Sequence, residues 1–202
     1  MTVLVTGATG TVGSAVVTEL NPTATSLSVE TITFDYTKPE TWGDALDGVE
    51  AVFLMFPPGV TPGRVTDFAD AAVRTGVERL VFLSVLGADK LPVLPHRRIE
   101  RHLERLDAET AALRAAYFMQ NLSGIHSPEI RERGELFVPA GEGRLGFVDA
   151  RDVGVVAARL LTGERRLDRP AVTLTGPTAL NFEEAATVFS AELDRELTSS
   201  SA

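Results

Sequence analysis

Three features of the sequence predict an α/β fold with a parallel sheet and helices on both faces. Short runs that are apolar throughout, such as Val3-Leu4-Val5 and Leu80-Val81-Phe82-Leu83, read as strands buried on both sides. Segments with helical periodicity alternate with these runs, as βαβ units require. A glycine-rich turn, Thr6-Gly7-Ala8-Thr9-Gly10-Thr11-Val12-Gly13, joins the first strand to the first helix.

The elements follow in order. After Val3-Leu4-Val5, a helix from Thr11 to Leu20 is expected to stop before Asn21-Pro22. Thr31-Ile32-Thr33-Phe34 alternates and reads as a strand ending at Asp35. Thr37 and Glu40 have capping-box spacing and open a helix to about Leu46. Ala51-Val52-Phe53-Leu54-Met55 is a buried strand ended by Pro57-Pro58-Gly59. A helix spans Pro62 to Arg74, the strand Leu80–Leu83 ends at Ser84, and a helix runs from His96 to about Leu106. Ala112 to Ala116 reads as a strand. Asp149 and Asp152 cap a helix from Ala150 to Leu161. Val172-Thr173-Leu174 is a late strand, Phe182 to Leu197 a final helix, and Thr198 to Ala202 a fraying tail.

The chain has 202 residues, enough for one domain with a real core. Its 19 basic and 28 acidic side chains leave a net charge of −9, which disfavours nucleic acid and anionic membranes as partners. No run is long enough to span a bilayer, and Met1 leads straight into a strand rather than a signal peptide. The absence of cysteine excludes disulfides and thiolate chemistry, and no His/Asp/Glu spacing suggests a metal site. A cytoplasmic protein is expected.

A glycine turn between a strand and a helix suits the diphosphate of a dinucleotide. The helix start offers free N–H groups and a favourable dipole. Gly7 and Gly10 let the backbone turn and approach the phosphates, while Gly13 lets the helix pack on the strand. The same turn without a ligand is the simpler alternative. Asp35 lies about 20 residues beyond Gly13, where a Rossmann-type acid meets the ribose hydroxyls.

The sequence Thr6-Gly7-Ala8-Thr9-Gly10-x-x-Gly13 resembles the T-G-A-T-G-x-x-G signature of atypical short-chain dehydrogenases/reductases. It is most similar to the NmrA-like branch, which includes NAD(P)H quinone reductases, triphenylmethane reductases and redox-sensing regulators. Phe34-Asp35-Tyr36, Ala51 to Pro58, Leu83 to Ala88, Pro95 to Glu100, Tyr117 to Leu122 and Phe147 to Val153 extend the likeness over nearly the whole chain. It implies a single NAD(P)-binding Rossmann-like domain over residues 1–202, with a short C-terminal portion on the substrate side.

Members usually carry a second strand, with an NADPH-selecting arginine, between the first helix and the strand at Phe34. Here about ten residues separate Leu20 from Thr31, and none is basic. Either the second strand is missing and Thr31–Phe34 moves beside the first strand, or this sequence lacks a segment that its relatives have. NADH and NADPH both remain open, since Lys38 is the one basic residue near Asp35. The short C-terminal end is expected to leave the pocket open.

The resemblance implies that Met55, Phe56 and Pro57 lie near the adenine-ribose, that Asp35 and Tyr36 contact the adenosine, and that Phe118, Met119 and Gln120 line the nicotinamide side. It places His96 where the branch has a lysine or histidine, as a proton donor or as a helix-start residue bonded to a carbonyl. Ser84, at a strand end, either meets a substrate carbonyl or bonds its own loop. His102 is expected to be solvated. The Y-x-x-x-K motif of the wider superfamily is absent, so no tyrosine acid is expected. The function expected is NAD(P)H-dependent reduction of a small apolar or aromatic acceptor such as a quinone. The alternatives are a non-catalytic dinucleotide sensor, with a homodimer or another protein as partner, and cofactor-independent chemistry in the same pocket.

Overall fold

A computed structural model describes residues 1–23, 31–138 and 141–200. In chain order the elements are β1 (Val3–Val5), α1 (Thr11–Thr23), a 3-10 turn (Pro39–Thr41), α2 (Trp42–Leu46), β2 (Ala51–Leu54), α3 (Pro62–Arg74), β3 (Arg79–Val85), α4 (Pro95–Leu103) and β4 (Glu109–Ala115). They continue with α5 (Met119–Ser123), α6 (Ser127–Arg133), β5 (Glu135–Phe137), α7 (Ala150–Leu161), β6 (Ala171–Leu174), α8 (Phe182–Leu193) and β7 (Thr198–Ser200). They fall into two compact units, Met1–Ala115 with Arg151–Leu174, and Ala116–Ala150 with Thr175–Ala202.

The first unit holds a five-stranded parallel sheet in the order β1-β2-β3-β4-β6. Its strands are apolar on both faces because both are covered. On one face Leu4, Val52, Leu54, Leu80 and Phe82 meet Trp42, Val65, Phe68 and Ile99 from α2, α3 and α4. Phe53, Val81 and Leu113 point the other way and are equally buried. The helices α1 and α7 cross closely: a Cβ on Gly154 would lie 2.8 Å from the Ala15 carbonyl carbon. No helix among the described residues is long and apolar enough to cross a membrane.

Three expectations need correction in this unit. Thr31–Phe34 is not a strand, and no strand flanks β1 on its outer side among the described residues. Phe34 instead packs on Phe68 and Tyr36, with ring centroids 4.7 and 4.8 Å apart, so aromatic burial rather than strand pairing holds this segment. Residues 24–30, where a missing strand would have to be sought, lie outside the described residues. The Thr37–Glu40 capping box does not form, because the Thr37 hydroxyl and amide both donate to the Asp35 carboxylate at 2.8 Å. The chain then turns through the 3-10 segment before α2. Finally, α1 continues through Asn21-Pro22 to Thr23, with Pro22 withholding a donor from its last turn.

The second unit pairs β5 with β7 in parallel. Thr198–Ser200 is therefore a strand rather than a fraying tail, while residues 201–202 lie outside the described residues. The final helix stops at Leu193, where Asp194 adopts a left-handed conformation with φ 48°, and Asn181 and Glu184 close a capping box at its start. The core of this unit gathers Phe147, Phe182, Leu122, Ile130 and Leu136.

Phe68 is fully buried against Phe34, Tyr36 and Trp42. Phe68→Ala is expected to lower unfolding free energy by about 3–5 kcal/mol, measured by urea denaturation.

Candidate functional site

The end of β1 is organised by one hydroxyl. Thr6 Oγ1 donates to the Phe53 carbonyl (2.9 Å) and accepts from the Met55 amide (2.9 Å) and the Tyr36 phenol (3.2 Å). One donated and two accepted bonds fill a hydroxyl's capacity. The side chain is buried, so Thr6 shapes the turn instead of facing a ligand.

Beyond it the chain reverses into α1. Gly7 has φ +66°, and a Cβ there would lie 2.6 Å from Met55 Sδ. A Cβ on Gly13 would overlap the Gly7 carbonyl, so the first turn of α1 rests directly on the loop. Gly10 N–H donates to the Gly7 carbonyl (2.9 Å), and Ser14 N–H donates to the Gly10 carbonyl (2.9 Å). Residues Gly7, Ala8, Thr9, Gly10 and Thr11 are exposed, while Val12 and Gly13 are buried. The N–H groups of Thr11, Val12 and Gly13 have no acceptor among the described residues. An arrangement of this kind, closed to side chains at Gly13 and open along the loop, suits an anion.

Tyr36 anchors the Asp35 segment beside this turn, but its ring is buried and its phenol is spent on Thr6; burial pushes its pKa up. The expected adenosine contact by Tyr36 is thereby corrected to a structural role. Asp35 is partly exposed. Its carboxyl lies below the usual range because the Thr37 amide and hydroxyl donate to it and Lys38 lies nearby at 3.9 Å. Met55, Phe56 and Pro57 are half-buried at the end of β2.

His96, in the first turn of α4, stands edge-on to Phe56 with centroids 5.3 Å apart and is tilted against Phe82 at 6.1 Å. It bonds no nearby carbonyl among the described residues, contrary to the helix-start alternative. Burial holds its pKa below the usual imidazole range, with the Glu100 charge partly opposing.

Ser84 has a different partner from either of those expected. Its hydroxyl donates at 2.6 Å to the fully buried Glu100 carboxylate. Glu100 also accepts two bonds from Arg114 (3.0 and 2.8 Å) and one from Arg97 (2.9 Å). Burial raises the Glu100 pKa, but the bonds from Arg114, Ser84 and Arg97 outweigh it and hold the carboxyl below its usual range. With its proton committed, Ser84 is a structural tie between β3 and α4. Glu100 and Arg114 went unrecognised in the sequence because they are sixteen and fourteen residues from their partners. His102 is likewise partnered, lying 2.7 Å from Asp70.

In the second unit, Phe118 precedes α5 and bridges to Val148. The Gln120 amide donates to Asp149 (2.7 Å) and accepts from Ala150 N–H (3.0 Å), so it holds the start of α7. The Tyr117 phenol lies 2.7 Å from His126 Nε2, and His126 Nδ1 is 3.4 Å from Glu129. Sequence reading passed over this chain because it sought a lysine near tyrosine.

Two stability predictions follow from these bonds. Thr6→Val leaves the Met55 amide and Tyr36 phenol without their acceptor and is expected to cost about 2 kcal/mol in urea unfolding. Because Glu100 is depressed in the folded state, its contribution is complete above its unfolded pKa, near 4.5, and is lost as pH falls through the lower folded value. Acid titration of unfolding should show this loss in the native chain and not in Glu100→Gln.

Comparison with known proteins agrees with this geometry. The Citrobacter sp. triphenylmethane reductase complexed with NADP(H) superposes with a TM-score of 0.85 at 20% identity, covering 100% of this chain and 79% of that one. The Escherichia coli NADPH-dependent quinone oxidoreductase QOR2, complexed with NADPH, gives 0.83 at 22% identity over 99% and 78%. Both show the shared Rossmann-type fold. An NAD(P)H azoreductase of Xenophilus azovorans is 32% identical in an alignment that covers 96% of this chain and 74% of that protein. The profile of the NmrA-like family matches residues 18–201, starting just after the glycine loop, so the likeness extends far beyond that motif. The chain belongs to the NmrA-like family.

Proposed function

We propose that this protein is an NAD(P)H-dependent oxidoreductase that reduces a small apolar or aromatic acceptor, such as a quinone or an azo compound. The observation that carries the reading is the exposed turn Gly7–Thr11, backed by three first-turn N–H groups without acceptors and by a Gly13 position that admits no Cβ. A diphosphate matches that cradle in charge and in the close backbone approach it needs. The azoreductase relative and the two reductase folds support the same chemistry.

In this reading the backbone of Gly7 to Gly13 holds the diphosphate, and Met55, Phe56 and Pro57 flank the adenosine side. Asp35 stays ionised at neutral pH, accepts from ribose hydroxyls and repels a 2′-phosphate, which favours NADH. Gln120 supports the start of α7. The bound dinucleotide supplies a hydride. His96 is the proton donor to the reduced acceptor, held by Phe56 and Phe82. The single dinucleotide-binding domain with a short substrate-side portion belongs to this proposal, as does a cytoplasmic location, supported by the acidic, cysteine-free composition.

Titration with NADH and NADPH, followed by cofactor oxidation with a panel of quinones and azo dyes, tests the function. Gly10→Asp places a carboxylate in the cradle and is expected to weaken binding by at least about tenfold; unchanged affinity would remove the loop from the site. His96→Ala is expected to lower kcat by about 100-fold while binding persists. Turnover that uses His96 as the acid should decline as pH rises through its lowered pKa, below 6.5.

A further inference from the structure

A cavity of about 300 Å³ lies between α3 and α4, away from the glycine loop's own residues, and its walls include Pro62, Thr66, Arg98, Arg101, His102 and Arg105. No carboxylate lines it. Arg98, Arg101 and Arg105 are exposed, and their guanidinium groups make no hydrogen bond or ion pair among the described residues.

This arrangement is unusual for an acidic chain of net charge −9. Arg98 and Arg101 lie three residues apart on α4, and Arg105 follows four residues later, just past the end of the helix. Arg98 and Arg101, and Arg101 and Arg105, are like-charged neighbours at these spacings, a repulsion that destabilises the free protein. The acids within reach are used elsewhere: Glu100 and Glu104 bind Arg97, Glu100 also binds Arg114, and Asp70 binds His102. On α3, Thr66 donates its hydroxyl to the Gly63 carbonyl, so the arginines are the cavity's donors. Three forked guanidinium groups around one cavity suit a tetrahedral oxyanion, to which arginine donates two bonds at a time. The volume is at the lower end of the range for small-ligand pockets.

We infer that this cavity is a binding site for a small anion of the phosphate class, separate from the glycine loop, in which Arg98, Arg101 and Arg105 supply the donors. The ligand is either a free inorganic anion or the phosphate group of a small organic molecule. Filling the site relieves the repulsion along α4, so binding stabilises the fold.

Calorimetric titration at low ionic strength tests the site, with inorganic pyrophosphate and phenyl phosphate as probes. It is run in the Gly10→Asp background so that the glycine loop does not compete. Saturable binding of either probe is expected, weakened at least about tenfold by the added changes Arg98→Gln, Arg101→Gln and Arg105→Gln. Stronger binding of pyrophosphate identifies a free anion, and stronger binding of phenyl phosphate identifies an organic phosphate. The glutamine changes should also leave the ligand-free Tm equal or higher, while abolishing its rise on adding the probe. Absence of binding by both probes overturns the inference. So does affinity that stays within about twofold after the three changes, or a ligand-free Tm that falls, which marks the arginines as structural.

Discussion

The Thr6 hydroxyl is the constraint around which the loop is arranged. It joins the end of β1 to the end of β2 through Phe53 and Met55, and it ties down the Tyr36 segment. With all three bonds made inside the protein, the turn is fixed before any ligand arrives. Met55 is thereby placed over Gly7, and α1 can settle on the loop at Gly13. Preorganisation of this kind leaves the first-turn N–H groups aimed outward without the cost of ordering a loop on binding.

A second constraint is electrostatic. Glu100 is buried where β3, β4 and α4 meet, and such a charge persists only because Ser84, Arg97 and Arg114 all donate to it. This tie fixes the rotation of α4 about its axis. That rotation packs Ile99 and Leu103 into the core, stands His96 against Phe56 and turns Arg98 and Arg101 toward the cavity. A single helix thus serves three purposes, because its charged residues divide between a satisfied interior group and an unsatisfied exterior row.

Much of the fold was legible in the sequence wherever one physical signal dominated. The bounds of α3 and α7 agree with their periodicity, and the buried strands β2 and β3 stand where continuous apolar runs placed them. The reading failed where local and tertiary forces compete. Thr31–Phe34 alternates like a strand, but Phe34 packs on Phe68 and Tyr36 and the segment joins no sheet. The Thr37 cap lost to an Asp35 turn two residues away. For Ser84 the sequence offers a ligand contact or a bond to its own loop, and neither is the observed partner, because distant Glu100 leaves no mark on local pattern.

By itself the sequence determined the alternating parallel architecture, the position of the glycine turn and the family, because burial on both faces and the need for glycine leave direct traces in residue type. Only the tertiary structure decided which polar residues face a ligand and which hold the frame. Thr6, Tyr36, Ser84 and Gln120 are all engaged inside the protein, whereas Arg98, Arg101 and Arg105 make no side-chain bond among the described residues. The physical reason is that a polar side chain's role depends on whether a partner reaches it across the fold, and those partners are separated by up to 49 residues in the chain.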